Sequence, residues 1–414
     1  MRRCFAVKRF LLVALVVFLT ITALSVEIVF WYPLSGSKGQ VFKELVARFE
    51  KVYPDVKVKL VYTGKYSDTA QKVVSALATK SLPNGGIIPA GPIFTGAYGN
   101  YKILEYIESD SEFNMSDFYE VGWDYAKYKG KICAIPYNIS TPVLIYNKEL
   151  MAEAGLDPSK PPETWAELLE YAKKITKDLN DDGEPDVWGL NIKDTPWIFK
   201  AMLFQNDCGI IDSNTLTPLF DGPKGVEAAT FWKKLVDEKA MPVGMHNLAD
   251  KQFMSGTLGF YMGSSSRIGK WSGKLPFEVG VAFLPKMVKR AIPIGGAVLV
   301  LFPHSKAEDD AVWKLIKWLV SPENLGEFCI MTGYIPIRKS VLEVPKVRKF
   351  MEENPNYRVA FEQMKYGRAY WHFEQMGTMD ALLYEYLDKI ERGVLTPEEA
   401  MKEAAEKLRK EIES

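Results

Sequence analysis

Histidine and serine side chains are frequent catalysts in proteins, and in this sequence neither is spaced for catalysis. None of the three histidines stands in a His-x-x-x-His or His-Glu-x-x-His arrangement, which a zinc site on a helix would need. The serine clusters at 35–37 and 264–266 lack the Gly-x-Ser-x-Gly elbow of hydrolases, and the stretch 36–39 lacks the spacing of a P-loop. Such clusters are typical of turns at helix starts, whose free N–H groups can bind ligand oxygens. The sequence therefore predicts a protein that is not an enzyme.

Two alternatives from other classes of protein stay open. A glycosidase needs two carboxylates at a set separation in space, and no pair among the 52 Asp and Glu residues stands out by its spacing. A secreted carbohydrate-active enzyme therefore remains one alternative. A protein that binds peptides or protein surfaces is the other.

One loop has part of the spacing of a calcium site. Its candidate ligands fall at positions one, three, five and nine of an EF-hand-type loop: Asp178, Asn180, Asp182 and Asp186. Gly183 stands at position six, but Gly189 stands where a bidentate glutamate would complete the site. The spacing therefore predicts either weak calcium binding or an Asx-rich turn between a helix and a strand. No cofactor is required.

The N-terminus has the pattern of a signal peptide. Basic residues at positions 2, 3, 8 and 9 precede the apolar run 10–19, and small residues lead to a predicted cleavage after Ser25. The run is about ten residues long, whereas a membrane-spanning helix needs roughly 20. The early cysteine, Cys4, precedes the run, so no lipid anchor is predicted. We expect residues 1–25 to be a signal peptide and the protein to be exported, periplasmic or extracellular.

Charge and cysteine content limit the partners. Lys and Arg together equal Asp and Glu at 52 each, and loss of the basic signal peptide leaves the mature chain slightly acidic. Nucleic-acid binding depends on clustered basic charge, so it is not expected. Beyond the signal peptide stand Cys133, Cys208 and Cys329. Their odd number and wide spacing allow at most one disulfide and give no metal-ligand pattern.

Strand and helix patterns alternate along the mature chain. β-branched and aromatic residues at 27–32 predict a strand, an apolar stripe over 41–52 predicts a helix, and alternation over 56–60 predicts a second strand. The pattern resumes after residue 136, and a capping box at 164–167 opens another helix. This order predicts an α/β fold with a mainly parallel sheet. The chain is longer than one core usually is, so we expect two domains.

Six segments in the same order along the mature chain carry a resemblance to a known family. They are residues 30–36, 62–66, 136–148, 154–165, 294–297 and 332–336. Together they resemble the extracellular solute-binding proteins of ABC sugar importers, and most closely the glycerol-3-phosphate-binding branch. Such a protein delivers its ligand to the membrane permease subunits of the importer, and we expect it to act as a monomer.

The resemblance implies an α/β periplasmic-binding-protein fold of type II, in which two lobes joined by a hinge of crossing segments enclose a ligand cleft. It implies crossings near 137–141, near 281–285 and after Tyr334. The expected lobes are residues 26–137 with 282–336 for lobe 1, and residues 138–281 with 337–414 for lobe 2.

The resemblance also implies the residues that contact the ligand. The hydrogen-bonding positions of the family fall on Tyr66, Ser140, Ser264, Gly296 and Tyr334. The aromatic walls on which the C–H faces of a sugar would stack are Trp31, Tyr32 and Trp197. Structural roles are the alternative: Ser140 would shape the hinge, Gly296 would serve a turn and Tyr334 would pack.

Two departures from the glycerol-phosphate branch bear on the ligand. Ala90 stands where that branch has an acid, and Asp380 stands where it has an arginine that supports the phosphate. A carboxylate repels phosphate and accepts hydrogen bonds from sugar hydroxyls, so we expect Asp380 to contact a neutral sugar, sugar alcohol or cyclitol. The alternative ligand is glycerol 3-phosphate or a glycerophosphodiester, with Arg267, Arg358 or Arg368 supplying the charge.

Overall fold

Two β-sheets with helices packed on them form the frame of the computed structural model, which describes residues 25–89, 102–128, 130–368, 373 and 375–414. The strands are β1 (Val26–Tyr32), β2 (Val56–Tyr62), β3 (Gly85–Pro89), β4 (Lys127–Tyr128), β5 (Lys131–Ile132), β6 (Ile135–Ser140), β7 (Pro142–Asn147), β8 (Trp188–Ile192), β9 (Leu258–Ser264), β10 (Val279–Ala282), β11 (Ile292–Pro293), β12 (Gly295–Leu301) and β13 (Gly367–Arg368). The first sheet has the order β2-β1-β3-β12-β6, and the second has the order β10-β7-β9-β8. Except for Ser25, the predicted signal peptide lies outside the described residues.

Both sheets are mixed rather than mainly parallel. In the first sheet β1 is parallel to β2 and β3, while β12 is antiparallel to β3 and β6. In the second sheet β8 is parallel to β9, while β7 is antiparallel to β9 and β10. The prediction of an α/β fold is confirmed, but the prediction of a mainly parallel sheet is wrong. The reason is that β7 and β12 each follow a crossing between the sheets and enter from the opposite end.

The helices cover the sheets and bury apolar stripes against them. They are α1 (Gly36–Val52), α2 (Tyr66–Ala78), α3 (Lys102–Ser109), α4 (Glu120–Tyr125), α5 (Lys148–Glu153), α6 (Trp165–Ile175), α7 (Thr195–Gln205), α8 (Pro223–Asp237), α9 (Ala249–Met254), α10 (Ile268–Trp271), α11 (Lys306–Leu319), α12 (Pro322–Thr332), α13 (Pro345–Glu353), α14 (Pro355–Glu362), α15 (Met376–Glu391) and α16 (Pro397–Glu413). The predicted stripe of α1 is buried at Val41, Phe42, Leu45, Val46 and Phe49. Side-chain caps at Thr164 and Thr396 start α6 and α16 as their sequences predict.

The second sheet is covered on both faces. Along β7, Val143 and Ile145 belong to one hydrophobic core, while Leu144 and Tyr146 belong to the other. Successive side chains of a strand point to opposite faces, so this alternation requires packing on each side. The first core continues under the first sheet, and the second core lies between the second sheet and helices α6, α7, α8, α15 and α16. The fold is therefore the two-lobe architecture that the resemblance implies.

The crossings between the sheets lie near their predicted positions. The chain leaves the first sheet at the end of β6 and enters the second sheet at Pro142. It returns between β10 and β12. After α12 the backbone N–H of Ile335 donates to the carbonyl of Ile139 at 2.9 Å, which places the third segment beside the first crossing. Helix α13 then packs on α12, and α14 packs on β10. Because these two helices bridge both sheets, the exact division into lobes stays a prediction.

Cys133, Cys208 and Cys329 are free thiols, and Cys133 and Cys329 are buried. Within the described ranges, no helix combines the length and the apolar character needed to cross a bilayer.

Candidate functional site

Two predicted site residues, far apart in the chain, meet through their hydroxyl groups. The Tyr66 hydroxyl at the start of α2 lies 3.1 Å from the Tyr334 hydroxyl, just after α12. The side-chain amide of Asn138 on β6 donates to the Tyr66 hydroxyl at 2.6 Å. Burial raises the pKa of Tyr66 well above its usual range and also raises that of Tyr334, so both hydroxyls keep their protons. We call Tyr66, Tyr334 and Asn138 the tyrosine group.

Gly296 allows β12 to lie against the tyrosine group. Its φ of +132° is a conformation that residues with a side chain rarely adopt, and a Cβ there would stand 2.1 Å from the Asn138 carbonyl oxygen. The carbonyl of Gly296 accepts a hydrogen bond from the Tyr125 hydroxyl at 3.3 Å. Its neighbour Gly295 pairs with Ser140 in the ladder between β12 and β6. Gly296 is therefore required by the backbone geometry. The pairing of Gly295 with Ser140 places Ser140 in the same neighbourhood.

Trp197 reaches this neighbourhood from the side of the second sheet. The indole ring lies against Gly295, where an added Cβ would meet ring carbon Cζ2 at 2.9 Å. Trp197 stands in the first turn of α7, which follows β8 directly. Its indole nitrogen and the Asn138 side-chain oxygen are buried without a hydrogen-bond partner among the described residues. A buried donor and a buried acceptor that lack partners suit a ligand hydroxyl, which can accept and donate at once.

Ser264 ends β9 on the same side of the molecule as Trp197. Its backbone N–H donates to Asp194 Oδ2 at 3.2 Å, and its hydroxyl caps the following turn by accepting from the N–H of Ser266. Asp194 is the residue before α7, and burial raises the pKa of its carboxyl. The next residue, Ser265, donates its N–H to the Thr141 carbonyl at 2.9 Å, which joins this turn to the first crossing. Ser264 thus lies next to the hinge, beside the residues of the second sheet.

Asp380 is placed near Trp197 through an ion pair. It lies in α15, and its Oδ1 accepts from Lys200 Nζ at 2.8 Å, where Lys200 is one turn after Trp197 in α7. The Lys200 side chain is 1% exposed and that of Asp380 is 40% exposed. The charge of the carboxylate is therefore offset by a buried ammonium group, which the sequence pattern did not reveal.

The remaining aromatic candidates, Tyr32 and Trp31, pack in the first core. Tyr32 is 4% exposed, and its ring packs against Phe42 and Tyr62. Trp31 is partly buried against the first core, and its backbone pairs with Val61 and Gly86. The structure therefore gives Tyr32 a packing role. Among the described residues, neither Trp31 nor Tyr32 forms a side-chain hydrogen bond with Tyr66 or Tyr334.

The Asp178 loop is closed by its own backbone. Asp178 accepts from the N–H groups of Asn180 and Gly183, and Asp186 accepts from that of Leu179. Lys239 Nζ donates to the Gly183 carbonyl at 3.0 Å, which brings a positive charge to the loop. Over the described ranges, no three His, Cys, Asp or Glu side chains are grouped as metal ligands. The loop has the Asx turns that the sequence gives as the alternative to a calcium site. Calcium binding stays a prediction.

Three arginines were considered as a source of positive charge, and Arg267 is the one that acts on a residue of the tyrosine group. Its positive charge acts on the pKa of Tyr334. Arg358 is exposed and pairs with Glu362 at 3.4 Å, and Arg368 lies in the exposed part of β13. Ala90 lies outside the described residues.

Three residues of this neighbourhood were not predicted as site residues: Asn138, Asp194 and Lys38. Asn138 lies inside the segment 136–148 that carries the resemblance, so its position was a usable signal. Lys38 Nζ lies 4.3 Å from the centroid of the Tyr334 ring. No local pattern distinguishes Lys38 from the other lysines, because its role depends on contact with a residue almost 300 positions later.

Comparisons with known proteins agree with this architecture. The model of the bacterial extracellular solute-binding protein family matches residues 44–358. The sn-glycerol-3-phosphate-binding periplasmic protein of Escherichia coli strain K12 is 27% identical over 398 residues, which cover 91% of this chain and 90% of that protein.

Solved structures share the fold at lower identity. An ABC substrate-binding protein of Listeria monocytogenes in complex with cycloalternan superposes with a TM-score of 0.81 at 22% identity, covering 94% of this chain and 99% of that one. A glycerophosphocholine complex of the Mycobacterium tuberculosis protein UgpB gives a TM-score of 0.79 at 24% identity, covering 93% and 98%.

Proposed function

The chain belongs to the bacterial extracellular solute-binding protein family, and we propose that it captures a small hydroxyl-rich molecule in the cleft between its lobes for an ABC importer. The observation that carries the proposal is the tyrosine group, in which residues from α2, β6 and the segment after α12 converge. The ligand class is a sugar, a sugar alcohol or a cyclitol. Closure of the lobes around the ligand gives the form that the membrane permease subunits recognise.

The chemistry of the surrounding side chains supports a hydroxyl-rich ligand. Tyrosine hydroxyls both donate and accept, the Asn138 side-chain oxygen still lacks a donor, and Trp197 offers an indole ring. Sugars need both kinds of surface, because their hydroxyls form hydrogen bonds while their C–H faces pack on aromatic rings. Ser264 and Ser140 add hydroxyl groups at the hinge side of the same neighbourhood.

The net charge of the ligand is a separate question. The expectation of a neutral ligand depends on Ala90, which lies outside the described residues, and on Asp380. Because Asp380 is paired with Lys200, its carboxylate repels a phosphate less than an unpaired one would. A second candidate ligand, a glycerol phosphate or a glycerophosphodiester, is favoured by the position of Lys38 against the Tyr334 ring. The proposal that the tyrosine group binds ligand hydroxyls applies to the neutral and to the phosphorylated candidate ligands.

A thermal-shift panel tests the proposal directly. The mature chain is heated with sugars, sugar alcohols, cyclitols and phosphorylated glycerols, each in excess. A ligand present at a hundredfold excess over its dissociation constant stabilises the folded state by about 2.7 kcal/mol. At least one hydroxyl-rich member should raise the melting temperature. A panel that leaves it unmoved throughout contradicts the proposed ligand class.

The absence of catalysis and the export of the chain are parts of the same proposal. Incubation of the mature chain with the panel sugars and with oligosaccharides should leave them intact, and a released product would favour the alternative of a carbohydrate-active enzyme.

The N-terminal sequence of the protein recovered outside the cytoplasm should begin at residue 26. Sedimentation should show a monomer.

We keep calcium binding at the loop 178–186 as a separate prediction. Calorimetric titration of the chelator-treated chain with calcium tests it, and heat that disappears in Asp178→Asn supports it. If no heat of binding is measured, the prediction of a calcium site is wrong.

A further inference from the structure

Lys38 is a cation held against the tyrosine group, and no carboxylate among the described residues pairs with it. It lies in the first turn of α1, and its Nζ stands 4.3 Å from the centre of the Tyr334 ring. Across the described part of the chain, Lys38 forms no ion pair and no hydrogen bond through its ammonium group. Its partner is the face of the Tyr334 ring, and a cation on an aromatic face can still bind an anion with its three N–H donors.

A second cation approaches Tyr334 from the other side of the hinge. Arg267 belongs to the turn that follows β9, and this turn touches the backbone next to Tyr334. A Cβ on Gly333 would stand 3.1 Å from the Ser266 carbonyl oxygen. Lys38 belongs to a helix of the first sheet, and Arg267 follows a strand of the second. Lys38 is therefore the cation in contact with Tyr334, whereas Arg267, whose charge also acts on the pKa of Tyr334, is paired with Asp250.

The surroundings of Lys38 disfavour its charge. Burial, followed by the positive charges of Arg267 and Lys270, lowers the pKa of Lys38 to about 8. A cation taken out of water without a counterion destabilises the folded state, and an anion placed beside it removes that cost. The site thus has a physical reason to prefer a negatively charged occupant.

The neighbouring carboxylates are already engaged. Asp250 pairs with Arg267 at 3.1 Å and also accepts from the Tyr261 hydroxyl at 2.9 Å. Asp194 accepts from the N–H of Ser264, and burial raises the pKa of its carboxyl. Neither carboxylate forms an ion pair with Lys38 among the described residues. The positive charge of Lys38 is left for a ligand.

We propose that Lys38 binds a negatively charged group of the hydroxyl-rich ligand, a phosphate or a carboxylate. This inference rests on the proposed function and narrows its ligand class. The tyrosine group then recognises hydroxyls beside the charged group. The charge of Lys38, which no described carboxylate pairs, is what distinguishes this site from one built for neutral sugars.

Calorimetry with matched pairs of compounds tests the inference. The pairs are glycerol 3-phosphate with glycerol, glucose 6-phosphate with glucose, and glucuronate with glucose. The wild-type mature chain at pH 7 should bind the charged member of at least one pair at least tenfold more tightly than the neutral member. The phosphate pairs and the carboxylate pair distinguish the two possible charged groups.

Three variants assign the preference to its residue. Lys38→Met keeps the length of the side chain and removes the charge, so it should abolish the preference for the charged member. Lys38→Arg should restore most of it. Lys43→Met, at an exposed position of the same helix, is the matched control and should bind as the wild type does.

The outcomes separate this inference from the function on which it rests. Neutral members that bind as tightly as charged ones overturn the inference and leave the proposed function standing. A charged preference that survives in Lys38→Met overturns the role of Lys38. If no member of any pair binds, the inference fails, and the thermal-shift panel decides the proposed ligand class separately.

Discussion

The hydroxyl oxygens of Tyr66 and Tyr334 lie 3.1 Å apart although 268 positions of sequence separate the two residues. Tyr66 begins a helix that packs on the first sheet, and Tyr334 follows the last helix before the third crossing of the hinge. Asn138, on the strand that leads into the first crossing, completes the group. Contact among these three residues depends on how the crossing segments are placed. The tyrosine group therefore forms only when the hinge segments have this arrangement.

Removal of the Tyr66 hydroxyl should weaken ligand binding more than it destabilises the protein. In Tyr66→Phe the amide of Asn138 loses its acceptor, and a ligand loses a partner. A lost hydrogen bond at a buried site costs about 1–3 kcal/mol, and 1.4 kcal/mol is tenfold in affinity, so we expect a loss of about tenfold by calorimetry. Tyr62→Phe is the control, because Tyr62 is 48% exposed. Equal affinities for the two variants would remove Tyr66 from the site.

The backbone at Gly296 should not tolerate a side chain. In Gly296→Ala the new Cβ would meet the Asn138 carbonyl oxygen at 2.1 Å, so β12 and β6 must separate. Overpacking of this kind costs about 1–3 kcal/mol, in addition to the strain of the positive φ. Gly393→Ala has the same kind of strain at φ +67° but open space around it. Urea unfolding should show the Gly296 variant clearly less stable than the Gly393 variant, and similar midpoints would contradict this account of the glycine.

The buried carboxylate of Glu391 should be important for stability and not for binding. It is 3% exposed and accepts hydrogen bonds from the Trp232 indole at 2.8 Å, the Gly244 N–H at 2.8 Å and the His246 ring at 2.7 Å. Glu391→Ala leaves these donors without their acceptor, at about 1–3 kcal/mol for each buried group. Glu385→Ala, which breaks an exposed ion pair on the same helix, should cost less than about 1 kcal/mol. Comparable unfolding midpoints for the two variants would contradict the importance of the buried network.

Lys38 should make stability depend on pH in the alkaline range. Its pKa is lowered to about 8 in the folded protein, below its ordinary value of 10.5, so between these pH values the unfolded chain binds more protons. The unfolding free energy of the wild type should therefore rise with pH across this window relative to that of Lys38→Met. Subtracting the unfolding free energy of Lys38→Met from that of the wild type cancels the contribution of the other lysines and the tyrosines, which titrate in both proteins. A pH-independent difference between the two proteins would show that Lys38 is not buried as a cation.

Local patterns in the sequence were enough to predict the elements, and the resemblance predicted their assembly. The stripe of α1 and the caps of α6 and α16 appear where their residues indicate, because periodicity and capping act over a few positions. The mixed direction of the strands was missed, because it depends on which end of a sheet the chain re-enters. The resemblance named Tyr66, Gly296 and Tyr334, which the structure brings together.

The charges of the site were the hardest part to predict from the sequence. The sequence shows Asp380 as an acid and gives no sign of Lys200, 180 positions earlier, which holds it in an ion pair. The sequence places Lys38 in a turn at a helix start, whereas in the structure it lies against Tyr334. Pairing between distant charged side chains leaves no periodic trace, so the local electrostatics had to come from the structure.

A crystal structure of the mature chain with the panel compound that binds most tightly would show where the ligand lies. We expect the compound between the two sheets, with an oxygen in hydrogen-bonding distance of the Tyr66 or Tyr334 hydroxyl. A cavity of about 510 Å³ lined by Val281, Phe283, Arg290 and Tyr171 is another place where a small molecule would fit. A compound bound there, with the tyrosine group untouched, would contradict the account.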